Sequence, residues 1–345
     1  MKQITQISLF LLSSAVVHAA ADRVKIADTS IQQLRALLVA LRQSVLQADL
    51  RLHLVAATGD INSLKSYIKA GDDVNKICGV AHNWTPIFFA CATGSSDIIR
   101  ELIAAGASLV MKDKFGYTPL HVAARYNHHV GPVRLLCQAG APLEITNECD
   151  YTPLHVAARY NNVEAVRVLC QEGAPLEITD KHGYTPLHVA AGSNCHETLL
   201  ALCDAGADKE AKTSGLGFSP LMVACDRGSV LAARTLVDLG ADIEPRNDTG
   251  TKPIHAAVVA PEVDDRKALL SLLIERGANL DAKKVGGITA LHLASHKGRL
   301  DAVELLVTHG ATKNPTDVHG RTPLHYAMKE GRHAVATFLL QYQLN

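Results

Sequence analysis

A chain of 345 residues, 48 % of them apolar, can bury a large core, and its 34 Lys plus Arg balance its 34 Asp plus Glu. That balance removes the long-range field that draws proteins to nucleic acid or anionic lipid, so neither is expected as a partner. Length alone fits one large fold or two ordinary domains, which leaves the architecture to periodicity.

The opening MKQITQISLFLLSSAVVHAAADR carries Lys2, an apolar run from Ile7 to Val17, and small residues at Val17, Ala19 and Ala21. This pattern predicts a cleaved secretory signal over residues 1–21. The apolar run is short of the roughly 20 residues that span a bilayer, so the mature chain is not expected to insert into a membrane. The first cysteine is Cys78, too late to carry a lipid anchor next to the apolar run. The expected localisation is periplasmic or secreted. In residues 22–48, Ile31, Leu34, Leu38, Leu41 and Val45 fall at alternating three- and four-residue steps after the candidate caps Thr29 and Ser30. They predict an amphipathic helix that caps the open end of the region starting at residue 49, with a partner-binding helix as the alternative reading.

From residue 49 to 345 the chain repeats itself. GYTPLHVAARYN from Gly116 returns as DYTPLHVAARYN from Asp150 and as GYTPLHVAA from Gly183, and CQAGAPLEIT from Cys137 returns as CQEGAPLEIT from Cys170. Weaker copies begin at Leu52, Trp84, Phe218, Thr251, Ile288 and Arg321, giving nine in all. Six begin with a hydroxyl before a proline, such as Thr118, Thr152 or Ser219, which is a helix N-cap followed by proline at the first helical position. A short apolar stretch comes next (Leu120, Val122, Ala123, Ala124), then a second one (Val133, Leu135, Leu136). Neither can close a core alone, so each copy must stack on its neighbours. The second helix is expected to stop at a left-handed glycine: Gly140, Gly173, Gly206, Gly240, Gly277 or Gly310. Three irregularities stand out. The first finger is lengthened from Cys78 to Asn83, an extra residue sits near His128 and His129, and AAVVAPEVDDRKALL around Pro261 predicts a longer inter-helix loop after Lys252 has replaced the capping Thr.

The GxTPLHxAAxxG half followed by VxxLLxxGA on this period resembles the ankyrin repeat over residues 49–345. The resemblance implies an all-α solenoid of helix-turn-helix units with β-hairpin fingers, preceded by the N-terminal capping helix, and recognition of a protein partner. In that family the residue before the Thr of TPLH lies at the finger base facing a concave groove. Here the slot holds Trp84, Tyr117, Tyr151, Tyr184 and Phe218 in five successive repeats, then Thr251, Ile288 and Arg321. At roughly 10 Å per repeat the aromatics would form a stripe about 40 Å long. Arg125 and Tyr126 lie beside it in repeat three, and Arg159 and Tyr160 in repeat four. Aromatic and Arg side chains dominate interface energetics, which makes these nine residues the expected partner-binding site. Packing of finger against finger would also favour aromatics, and duplication of repeats three to five would copy them, so both readings stay open. The charged finger tips Asp113, Lys114, Glu148, Asp180, Lys181 and His182 are expected at the rim.

The seventeen histidines sort by position. His53, His121, His155, His188, His255, His292 and His325 share one slot, where an imidazole bonds backbone and capping hydroxyl. Catalysis needs one unique constellation, whereas stacking needs the same residue in every repeat. His128, His129 and His196 remain, without HExxH spacing or a fourth ligand, so no metal and no cofactor is expected. Cys137, Cys170 and Cys203 form a ladder whose step exceeds disulfide reach, and Cys91 and Cys225 replace a buried Ala. That leaves Cys78, Cys149 and Cys195 as the thiols open to bridging. Asn83-Trp84-Thr85 and Asn247-Asp248-Thr249 match the glycosylation pattern. The sequence therefore predicts a monomeric, exported, non-enzymatic scaffold for protein–protein interaction. It would act in the periplasm or as a secreted effector on a foreign protein. A histidine-based metal-binding or hydrolytic protein is the alternative of another class.

Overall fold

A computed structural model describes residues 50–79, 81–126 and 130–344. The predicted leader (1–21), the predicted capping helix (22–48) and the extra residue at His128 and His129 lie outside the described residues. Among the described residues the chain forms eighteen α-helices in nine pairs, divided between two compact units that meet in sequence at Pro175 and Leu176.

The first unit holds α1 (Arg51–Thr58), α2 (Ile61–Lys69), α3 (Pro86–Thr93), α4 (Ser96–Ala104), α5 (Pro119–Arg125), α6 (Gly131–Gln138), α7 (Pro153–Arg159) and α8 (Val163–Gln171). The second holds α9 (Pro186–Gly192), α10 (His196–Asp204), α11 (Pro220–Arg227), α12 (Val230–Asp238), α13 (Pro253–Val259), α14 (Val263–Glu275), α15 (Ala290–Lys297), α16 (Leu300–Thr308), α17 (Pro323–Lys329) and α18 (His333–Leu344). Within each unit the odd-numbered helices pack side by side as an inner layer, and the even-numbered ones form a second layer against them. Helices of seven to nine residues are too short to persist alone, so their stability comes from this stacking. The inner layer is tight because its contact positions are small: Ala123, Ala124, Ala157, Ala158, Ala190 and Ala191 are fully or almost fully buried. Leu120, Leu136, Leu154, Leu169, Leu187 and Leu202 fill the space between layers. Each buried leucine contributes about 1.5–3 kcal/mol.

The start and stop signals act as expected. Thr118, Thr152, Thr185, Ser219 and Thr322 are N-caps with proline at the first helical position, and the glycines from Gly140 to Gly310 that follow the second helices have positive φ. Two expectations are corrected. The fingers are not β-hairpins: among the described residues only isolated bridges occur, Cys78 with Trp84 and Lys284 with Ile288. Most fingers close on two backbone bonds, such as Asp113 N–H to Tyr117 O at 2.8 Å and Gly116 N–H to Asp113 O at 3.0 Å, and a side chain does the rest. Asp113 Oδ1 accepts the N–H groups of Phe115 and Tyr117, and Asn147, Asp180, Asn247 and Asp317 do the same in their own fingers. Such an Asx turn needs no strand partner.

Nor is there a long loop after α13. Only Ala260, Pro261 and Glu262 separate it from α14, which takes up the insertion as extra helix and runs 13 residues. Asp264 and Asp265 favour the first turn of α14 through the helix dipole. Arg266, 1 % exposed, ties that turn down by donating to the Ala260 and Pro261 carbonyls and to both oxygens of Asp301. At Lys252 the missing Thr is bypassed: the backbone N–H donates to His255 Nδ1 at 3.2 Å, and the ammonium pairs with Glu244.

Candidate functional site: a tyrosine and arginine face

The histidine of the TPLH turn sets where the finger base lies. In repeat three, His121 Nδ1 accepts from the Thr118 backbone N–H at 3.1 Å and lies 2.8 Å from its hydroxyl, so the proton sits on Nε2, which donates to Tyr151 O at 2.8 Å. His188 donates in the same way to Phe218 O, His255 to Ala282 O and His292 to Arg321 O. Each imidazole thus closes its own helix start and holds the next finger about thirty residues on. Burial pushes the pKa of His121, His188 and His255 down to about 4, and it also lowers those of His53 and His292. These rings are neutral struts. Among the described residues no group of three His, Cys, Asp or Glu side chains is placed to hold a metal.

In the first unit the struts present a cluster. Tyr117 and Tyr151, both half-buried, lie against the imidazoles of their own repeats, Tyr117 edge-on to His121 at 5.5 Å and Tyr151 stacked on His155 at 5.3 Å. Arg125 and Arg159 are the last residues of α5 and α7, where the negative end of the helix dipole suits a cation. The Arg125 guanidinium lies 4.9 Å from the centre of the Tyr160 ring and 5.7 Å from that of Tyr126. Arg159 is hydrogen-bonded to Tyr151. Burial, with Tyr160 nearby, pushes the Tyr117 phenol up to about 12, so it remains a neutral donor. Six of the expected contact residues therefore gather on one face of this unit: Tyr117, Arg125, Tyr126, Tyr151, Arg159 and Tyr160. In the second unit Tyr184 and Phe218 are half-buried at the bases of two successive fingers, Tyr184 edge-on to His188 at 5.9 Å.

Not all of the expected site is accessible. Trp84 is 5 % exposed, stacked on Phe88, edge-on to Phe89 and donating from Nε1 to Asp113 Oδ2 at 3.1 Å. At this position the packing role expected for a finger aromatic holds. Its repeat has Phe88 in the histidine slot, so the Thr85 hydroxyl is left without a partner and the indole closes over a phenyl ring. Tyr126 is 6 % exposed and acts as the floor under Arg125. The finger tips also divide. Lys114, Glu148, Lys181 and His182 are exposed, but Asp113 and Asp180 are buried turn formers rather than rim contacts. The recurrence of Asp or Asn at 113, 147, 180, 247 and 317 was the signal for that role. One neighbour escaped sequence reasoning: His82, whose pKa burial lowers to about 4 with help from Lys114 and Arg125.

All eight cysteines are free. Burial holds the Cys91 and Cys225 thiols far above the ordinary value and pushes Cys137, Cys170 and Cys203 up to about 11, so these five are poor nucleophiles. Cys78 and Cys195 are buried and Cys149 is exposed at a finger tip. Asn247 turns its amide oxygen inward to its own finger, whereas Asn83 is exposed in a left-handed conformation.

Comparison with known proteins agrees with this architecture. The family model described as ankyrin repeats in three copies matches residues 52–147, 131–213 and 260–345, and a single ankyrin-repeat model matches 216–248. The chain is 37 % identical over 95 residues to neurogenic locus notch homolog protein 4 of Homo sapiens, covering 28 % of this chain and 5 % of that protein. It is 35 % identical over 90 residues to ankyrin repeat domain-containing protein 63 of Mus musculus (26 % and 23 %). It is 44 % identical over 91 residues to ADP-ribosylation factor GTPase-activating protein AGD2 of Arabidopsis thaliana (26 % and 11 %). The chain thus spans less than a quarter of the length of each of these relatives. With phased helical pairs, capped TPLH turns and family matches along most of its length, the chain belongs to the ankyrin-repeat family.

Proposed function

We propose that this protein is a non-enzymatic scaffold that binds a protein partner through its finger bases and the ends of its inner helices. The observation that carries this reading is the clustering of Tyr117, Tyr151, Arg125, Arg159 and Tyr160, amphipathic side chains of the kind that supply interface hot spots, on one face of the first unit. Ankyrin repeats serve protein–protein interaction, and the family is generally non-enzymatic. Tyr184 and Phe218 extend the reading to the second unit.

The proposed setting is outside the cytoplasm, as a periplasmic adaptor or a secreted effector. It is supported by the leader-like composition of residues 1–21. No helix among the described residues is long and apolar enough to cross a membrane. A fusion to a reporter active only outside the cytoplasm, with fractionation of the cells, tests it: signal in the periplasm or medium is expected, and signal retained in the cytoplasm contradicts it.

Affinity capture from native extract, comparing the full chain with a Tyr151→Ala, Tyr184→Ala variant, tests the binding reading. The expected result is a specific protein lost from the variant, with each substitution lowering stability by only about 1 kcal/mol. A loss of several kcal/mol with the captured protein unchanged would assign the tyrosines to packing.

A further inference from the structure

We propose that the first unit recognises an acidic side chain of its partner, a glutamate or aspartate in a peptide segment, on Arg125. This inference rests on the protein-binding reading above and specifies the chemistry of the contact. Arg125 lies against the Tyr126 and Tyr160 rings at the end of α5, and among the described residues no carboxylate forms an ion pair with it. Its Nε–H is buried and has no hydrogen-bond partner. The carboxylate of Asp113, which lies close enough to act on Arg125 electrostatically, is fully used. Its Oδ1 accepts the Phe115 and Tyr117 N–H groups at 2.8 and 2.9 Å, and its Oδ2 accepts the Trp84 indole at 3.1 Å.

A guanidinium lying against phenol rings, with its Nε–H cut off from water and unspent, is an expensive arrangement for the free protein. A carboxylate relieves it best, because its two oxygens match the side-on pair of guanidinium donors and a charge-assisted bond is roughly twice as strong as a neutral one. The neighbouring rings then exclude water from the pair, as residues around an interface hot spot do. Arg159 cannot serve as the same receptor, since its guanidinium is engaged with Tyr151. The acid is therefore expected at one fixed place in the bound segment.

Selection of a random peptide library on the immobilised full chain provides the probe. Wild-type protein is expected to enrich peptides with Asp or Glu at one fixed position, and changing that residue to its amide should weaken binding about tenfold or more. On an Arg125→Gln protein the same change should cost less than about twofold, since the two groups act as a pair. Enriched peptides without a fixed acid, or an undiminished amide penalty on Arg125→Gln, would overturn the proposal while leaving the protein-binding reading intact. Failure to enrich any peptide would overturn both. Should Arg125→Gln lose its helical circular dichroism, Arg125→Lys takes its place. Lysine keeps the charge without the fork, so the amide penalty should fall by about threefold, and an unchanged penalty would contradict the assignment.

Discussion

Tyr151 shows how one residue serves both fold and surface. Its carbonyl is fixed by His121 from the preceding repeat, and its half-buried ring stacks on His155. His121→Ala should therefore cost about 2–4 kcal/mol, from a cavity and two lost hydrogen bonds. It should also weaken partner binding, because the Tyr151 base is released. Urea unfolding and a binding isotherm on the same variant check both, and a stable variant with weakened binding would place His121 in the contact itself. The histidine role was legible in the sequence because the same residue recurs in the same slot beside a capping hydroxyl. The fate of Trp84 was not legible, since exposure in that slot is set by residues of other positions. Phe88 stands where other repeats have histidine, and Asp113 offers the indole an acceptor from the next finger.

Among the elements, the fingers and the turns after the outer helices use glycine for different reasons. Gly206 follows α10 with φ +96° and open space around it, so a side chain there meets only backbone strain. Gly183 in the finger has φ +78°, and a Cβ would lie 2.2 Å from the Ser214 backbone nitrogen. Gly206→Ala should cost about 1 kcal/mol, from the left-handed conformation alone. Gly183→Ala adds a backbone clash in a close-packed region and should cost more than about 3 kcal/mol. Equal losses in paired thermal and urea melts would contradict the finger–finger approach. Helix starts and stops were readable because caps, prolines and glycines are local signals. The missing strands and the lengthened α14 were not, since they depend on Asx side chains replacing a ladder and on Arg266 finding Asp301 thirty-five residues away.

Across the whole molecule, the neutral imidazole struts couple stability to pH. The folded pKa values of His121, His188 and His255, about 4, lie below the ordinary value of 6.5. The unfolded chain therefore binds more protons between those limits. Stability should be constant above about pH 7 and fall as pH drops from about 6.5 toward 4, by up to about 1.4 kcal/mol per pH unit for each histidine. Urea midpoints across that range check the sign, and a flat profile would contradict the struts. Fold class and the shared slot of the finger-base aromatics were legible because the chain repeats. The contacts of Arg125 were not, because they join side chains of two different repeats, Tyr126 and Tyr160. The central claim is that finger bases and inner-helix ends meet the partner. Hydrogen exchange of the captured complex against the free chain tests it most directly: slowed exchange over residues 117–126 and 151–160 is the predicted result, and protection confined to the outer helices at 131–138 and 163–171 would contradict it.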